Sequence, residues 1–209
     1  MLNCYQLNLP KISNRLQIDL LKYANQLKST QGHNPSEILG KAEEKIIQEF
    51  CLEAKTERSN YVQHELPDDL TYRLQNEMSD NLFPFSKIRW FLQIISGGNR
   101  FMPHRDTGAP GRKISLLYNL IEDTATTHFY KSNYDSPDRF VFSMKEVIPI
   151  QDIKMKTFTW YVMNNYCIHG VSKITKPRIA LTCDMNFHPE LEIFEYLDFY
   201  KKYRELLVE

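Results

Sequence analysis

Cysteine is scarce in this chain, and neither sign of charge is in excess. Among 209 residues there are four cysteines, Cys4, Cys51, Cys167 and Cys183, and none forms a CxxC pair. That excludes a disulfide scaffold, and the four read as reduced thiols of a cytosolic chain. Cys167 and Cys183 fall in apolar, strand-like stretches as small core residues. Lys plus Arg number 26 and Asp plus Glu number 26, so the formal net charge is zero. No global field draws the chain to nucleic acid or to an anionic membrane. No apolar run is long enough to span a bilayer, and the start, MLNCYQLNLPK, lacks the basic-then-apolar pattern of a secretory signal. Glycines number only 7, and there is no internal repeat or low-complexity linker. The expectation is a cytoplasmic protein without nucleic-acid or membrane partners. Its oligomeric state is not legible.

What is present fits a globular domain. Hydrophobic residues make up 42% and charged residues 25%, ordinary proportions for such a chain. A chain of this length forms one domain and buries about 70% of the surface it exposes when unfolded. Aromatics are 12%, with 12 Tyr and 12 Phe, large side chains suited to a core or a cavity wall.

Periodicity changes near residue 80. Before it, Leu16, Ile18, Leu20, Leu21, Ala24 and Leu27 recur at roughly helical spacing. A second helix is expected after Asn34, with Pro35 in its first turn, running through Ile38, Leu39, Ala42, Ile46, Ile47, Phe50 and Cys51. A third covers Asp68 to Glu77. After residue 80 the pattern is of strands: 88–95, 111–121, 127–132, 140–144, 156–163, 166–172 and 178–187. Turn signals at Gly97-Gly98, Pro110-Gly111, Asp135-Ser136-Pro137, Asn164-Asn165 and Lys176-Pro177 separate them. Strands so spaced suggest a sandwich or a jelly roll. Residues 189–209 read as a C-terminal helix over a sheet face. The expected plan is one α+β domain: a mostly helical buttress at 1–80, a β core at 81–188, and the helix at 189–209.

The chemistry-bearing residues are His104 and Asp106 in FMPHRDTG, His169 in YCIHGVS, and Arg178 in KPRIALT. In an extended segment alternate side chains share a face, so His104 and Asp106 point together and Arg105 points away. His169 can add a third ligand from another strand. Two imidazoles and one carboxylate on one face of a metal leave positions open, which suits non-haem Fe(II). Arg178 follows His169 by nine residues, across a turn at Ile174 to Pro177. A hairpin there returns it beside the His169 strand, where a guanidinium can clamp a carboxylate. The competing readings are a hydrogen-bonded turn for His104 and Asp106, a core histidine for His169, and a surface ion pair for Arg178.

These residues resemble the Fe(II)/2-oxoglutarate-dependent oxygenases, whose pattern is His-x-Asp/Glu, a distal His, and an Arg or Lys about ten residues on. GGNRFMPHRDTG with NNYCIHGVSKITKPRIAL is most similar to the aspartyl/asparaginyl and cis-proline hydroxylase group. The resemblance covers about half the chain. It implies a double-stranded β-helix (cupin-like jelly roll), a metal site of His104, Asp106 and His169, and 2-oxoglutarate held by Arg178. The implied reaction hydroxylates an unactivated C–H bond of a free amino acid or a peptidyl side chain, turning 2-oxoglutarate and O2 into succinate and CO2. Many relatives carry Ser or Thr two positions after the clamping Arg, where this chain has Ala180; further cosubstrate contacts are assigned to Tyr118, Ser115 or Thr182. A non-catalytic cupin-like protein that binds metal or ligand is the alternative function, and a structural jelly roll with incidental histidines is a third. Arg89, Arg100, Arg105 and Arg112 are candidates for a substrate carboxylate or phosphate, or for solvated faces. His33, His64, His128 and His188 read as structural or solvated. Trp90, Trp160, Tyr118 and Phe129 read as core, with Tyr118 and Trp160 able to line a pocket. Segments Asn99 to Gly111 and Thr124 to Arg139 read as loop-rich covers of the site.

Overall fold

Alternation along one strand organises the molecule. In the segment RIALTCDMN, Ile179, Leu181 and Cys183 join one apolar cluster, while Arg178, Ala180 and Thr182 point to the opposite face, as a two-residue period requires. The apolar side is covered by helices, and the other faces a second sheet. A computed structural model describes residues 3–27, 41–53, 61–78, 88–95, 99–106, 113–122, 124–136 and 138–186. Its strands are β1 (Cys4–Leu7), β2 (Tyr61–Glu65), β3 (Ile88–Ile95), β4 (Asn99–His104), β5 (Lys113–Asn119), β6 (Thr126–Ser132), β7 (Val147–Ile153), β8 (Trp160–Asn164), β9 (Ile168–Ile174) and β10 (Arg178–Asn186). The helices are α1 (Asn14–Leu27), α2 (Lys41–Glu53) and α3 (Asp68–Met78). The strands form a six-stranded sheet, β1-β8-β5-β10-β3-β2, and a four-stranded sheet, β4-β9-β6-β7. All pairings are antiparallel, and the two sheets pack as a jelly roll.

Helices α1 and α3 cover the outer face of the six-stranded sheet. Leu16, Leu20 and Ala24 of α1 and Leu70, Leu74 and Met78 of α3 recur every four residues and are buried against Trp90, Leu116 and Leu181, the stripe an amphipathic helix presents. Ile18, part of the expected apolar set, is 53% exposed. Ser13 caps α1, its Oγ accepting from Leu16 N at 3.3 Å, and its own N–H and hydroxyl donate to Glu77 on α3. Between the sheets, Leu117, Tyr161 and Met163 meet Phe129, with Cys4 and Met155. Phe50 of α2 packs on Met102 and Val141, behind β4.

Several expectations need amendment. The first 80 residues are not only helical: they supply β1 and β2, the two edges of the larger sheet. Segment 140–144 is not a strand; it makes a single bridge from Val141 to His104 and leads into a 3-10 turn at Met144–Glu146. The strand lies just after it, as β7. Residues 99–104 are a strand rather than a loop, and the expected strand 127–132 is present as β6 inside the segment also read as a loop-rich cover. Strands β9 and β10 do not form a hairpin, because the chain crosses from the smaller sheet to the larger between them. The start of the second helix, the C-terminal helix, Arg112, His33 and His188 lie outside the described residues. No described helix is long and apolar enough to cross a membrane.

Candidate metal centre

His104 ends β4, and His169 is its directly paired neighbour on β9. Between Phe101, which pairs with Val171, and His104, β4 has three steps where β9 has two, so β4 carries a bulge. By strict alternation Phe101 and His104 would face opposite ways. The bulge re-aims His104, so its ring lies 4.8 Å from that of Phe101 and 4.3 Å from that of His169, centroid to centroid. Gly170 permits the close approach: a Cβ there would sit 2.8 Å from the carbonyl oxygen of Phe101.

The two imidazoles are oriented alike. His104 Nδ1 lies 2.9 Å from the carbonyl of Met102, and His169 Nδ1 lies 2.9 Å from the carbonyl of Cys167. A carbonyl only accepts, so each Nδ1 carries the proton and each Nε2 keeps its lone pair for a ligand. Asp106 Oδ1 is 3.5 Å from His104 Nε2, and the backbone N–H of Asp106 donates to Asn165 O at 3.0 Å. The candidate ligand atoms of His104, Asp106 and His169 all lie within 4.8 Å of one another. His169 is buried, and Asp106 is the solvent-facing member.

Arg178 reaches the same interior by a route the expected hairpin does not describe. Its guanidinium, buried at the start of β10, spans the sandwich and donates from Nη1 to Thr127 Oγ1 on β6 at 3.0 Å. Thr127 pairs with Val171, and Phe129, two residues on, pairs with His169. Arg178 thus anchors about 7 Å along the strand from the His169 level, at roughly 3.3 Å per residue. Burial pushes the Cys4 thiol up to about 12 and raises the Tyr161 phenol, and the nearby Arg178 cation pulls each part of the way back.

The remaining candidates divide by sheet face. Ser115 and Thr182 lie on the inner face and are buried, with Ser115 Oγ accepting from Asn165 Nδ2 at 2.7 Å. Tyr118 does not join them. It belongs to the helix-covered cluster, accepts at its hydroxyl from Gln17 Nε2 of α1 at 3.2 Å, and packs 4.7 Å from Trp160. Burial pushes its phenol up to about 12. Trp160 is also on that face and donates to Pro10 O. Arg89 pairs with Glu65, and Arg105 is buried against Asp135, away from the ligand atoms. Thr127 and Asn165 are the neighbours that sequence reasoning missed. Asn165 stood in a turn signal, but nothing in THFYKS marks Thr127 until β6 is known to face β10.

The sequence matches no protein-family model and no curated protein sequence. Solved structures do share its fold. A prolyl-4-hydroxylase from Pseudomonas putida superposes with a TM-score of 0.51 at 10% identity, covering 88% of this chain and 92% of that one. The epimerase SnoN, in complex with Fe3+, alpha-ketoglutarate and nogalamycin RO, gives a TM-score of 0.53 at 12% identity, covering 88% of this chain and 78% of that one. The described β core is accordingly a double-stranded β-helix.

Proposed function

We propose that this chain is a non-haem Fe(II)- and 2-oxoglutarate-dependent dioxygenase that hydroxylates an unactivated C–H bond of a free amino acid or a peptidyl side chain. One observation carries the reading: His104, Asp106 and His169 gather their ligand atoms within 4.8 Å. Two imidazole nitrogens and one carboxylate oxygen are the donor set such iron takes, and both histidines already spend Nδ1 on a carbonyl. When bound, the iron with 2-oxoglutarate and O2 would supply the oxidant for C–H hydroxylation, leaving succinate and CO2. The protein's share is positioning. His104, Asp106 and His169 hold the ion from one side. Arg178, steadied by Thr127, receives the distal carboxylate, a charge-assisted and directional contact. Ser115 and Thr182 offer hydroxyls from the same wall, and Phe101 and Phe129 flank the imidazoles and keep water from that side of the site. The fold shared with a prolyl-4-hydroxylase and the likeness of HRD and NNYCIHG to the aspartyl/asparaginyl and cis-proline hydroxylase group support an amino-acid substrate, with proline foremost.

Anaerobic addition of Fe(II) and then 2-oxoglutarate tests this directly. A weak visible metal-to-ligand charge-transfer band is expected, and His104→Ala or Asp106→Ala removes it. Arg178→Ala weakens 2-oxoglutarate binding roughly 10- to 100-fold, the worth of hydrogen bonds to a charged group, while Fe(II) affinity changes little. Folded wild-type protein that takes up Fe(II) and 2-oxoglutarate without the band would refute the proposal. A band without succinate release from any free amino acid or prolyl peptide would favour a protein that only binds.

A further inference from the structure

Between the two ligands of the His104–Asp106 pair sits a buried cation with no place in the reaction. The Arg105 side chain is 1% exposed. Its Nη2 pairs with Asp135 Oδ1, and its Nη1 donates to Ser136 O at 3.2 Å. The guanidinium carbon lies 4.6 Å from the ring centroid of Tyr166 and 5.4 Å from that of Phe142. The backbone around it is tied to the same two segments. Arg105 N–H donates to Phe140 O, Phe142 N–H to Pro103 O, and Asp106 N–H to Asn165 O, while His104 bridges Val141. Tyr166 is next to Cys167, whose carbonyl orients His169. One side chain therefore touches the segment bearing two ligands, the turn that aims the third, and Asp135, Ser136 and Phe142 behind them.

Stability alone does not call for a cation at this place. A buried ion pair is often no better than a well-packed apolar residue of similar volume. What a guanidinium adds is direction: its planar fork fixes carboxylate and carbonyl partners while its faces stack on rings. We propose that Arg105 is the positioning residue that sets the affinity of the His104, Asp106 and His169 site for its metal, by locking these three segments into one unit. The inference rests on the reading of that triad as a metal site.

Full-length protein is titrated anaerobically with Fe(II), and separately with Co(II) followed by its visible absorption, at a temperature where near-UV circular dichroism shows each variant folded. Arg105→Met, and Arg105→Lys, which keeps charge but loses the fork, are expected to weaken metal binding about 10- to 100-fold, as loss of groups that orient ligands does. Arg139→Met is the control. Arg139 lies three residues before Phe142, pairs with Glu146, donates to Val141 O at 3.2 Å and stacks 4.9 Å from the Phe142 ring, so it steadies the same segment from the side away from the ligands; its loss should lower the unfolding temperature and leave metal affinity within about two-fold. Should Arg105→Met fail to fold, Asp135→Asn at its half-exposed partner asks the same question, with a loss of about ten-fold expected. Folded Arg105 variants that bind metal like wild type, or that weaken no more than Arg139→Met, overturn this inference and leave the proposed function standing. Wild-type protein that takes up neither metal overturns both.

Discussion

Lys173 adopts a φ of 59° within β9, a left-handed conformation that costs an L-residue about 1–2 kcal/mol. It marks the point where β9 has three steps, Val171 to Ile174, against two on β4, and its side chain is exposed. Lys173→Gly relieves that strain, offset by the greater freedom of Gly in the unfolded chain. A net gain of about 0.5 kcal/mol is expected, read as a higher urea midpoint with an unchanged slope. His128 shows how a suggestive row can be structural. Asp152, His128 and Ser172 are linked at 2.7 and 2.6 Å across the smaller sheet. The three residues stand on three neighbouring strands, β7, β6 and β9, and the row serves as a cross-strand tie. The reading of His128 as structural suits that role. His104, Asp106, His169 and Arg178 were legible because a two-residue step, a second histidine and a trailing arginine are visible in one dimension. Tyr118 was not. Both faces of β5 are buried, so composition could not tell which one the helices cover.

At the scale of elements, the join of β4 to β9 decides whether the two imidazoles meet. Gly170→Ala places a methyl 2.8 Å from a backbone oxygen of β4, and backbone cannot swing aside as a side-chain tip can. Strand β4 must shift, at a cost of about 1–3 kcal/mol, and His104 moves with it. Chemical denaturation should show the lost stability and metal titration a weaker site; unchanged values in both would refute the claim that this contact sets the spacing. The strands that escaped sequence reading did so for two physical reasons. Pro103 and Pro149 interrupt β4 and β7 and argue against a strand, yet both lie on edge strands of the smaller sheet, where a missing N–H costs little. Strands β1 and β2 are too short to show alternation, and their partners lie at 160–163 and 91–95, distances that local pattern cannot reach. Helices α1 and α3 were legible because each carries its own stripe.

The whole molecule should lose stability as pH falls. His64 is lowered from its ordinary value of 6.5 by burial, so the unfolded chain takes up that proton first and stability begins to decline below about 6.5. Hydrogen bonds from Arg139, Arg89 and Arg73 hold Glu146, Glu65 and Asp19 below the usual carboxylate range. Their contribution is present above the ordinary glutamate value of 4.5 and fades as pH drops through their lowered values. The Arg89–Glu65 pair is exposed and the other two are only part-buried, so each adds little, but all four groups act in the same direction. A thermal midpoint that stays flat from pH 7 to pH 4 would contradict this. The antiparallel two-sheet architecture was legible from strand spacing and from the site motif together. How β10 is used was not, since a short turn after β9 looks like a hairpin until the strand is seen to leave for the other sheet. That strand is hydrogen-bonded on both sides and turns alternate residues toward two different interiors. A one-residue insertion between Ile179 and Cys183 would exchange the greasy and polar surfaces of the strand beyond it. Insertion scanning should therefore find this stretch intolerant of even one added residue.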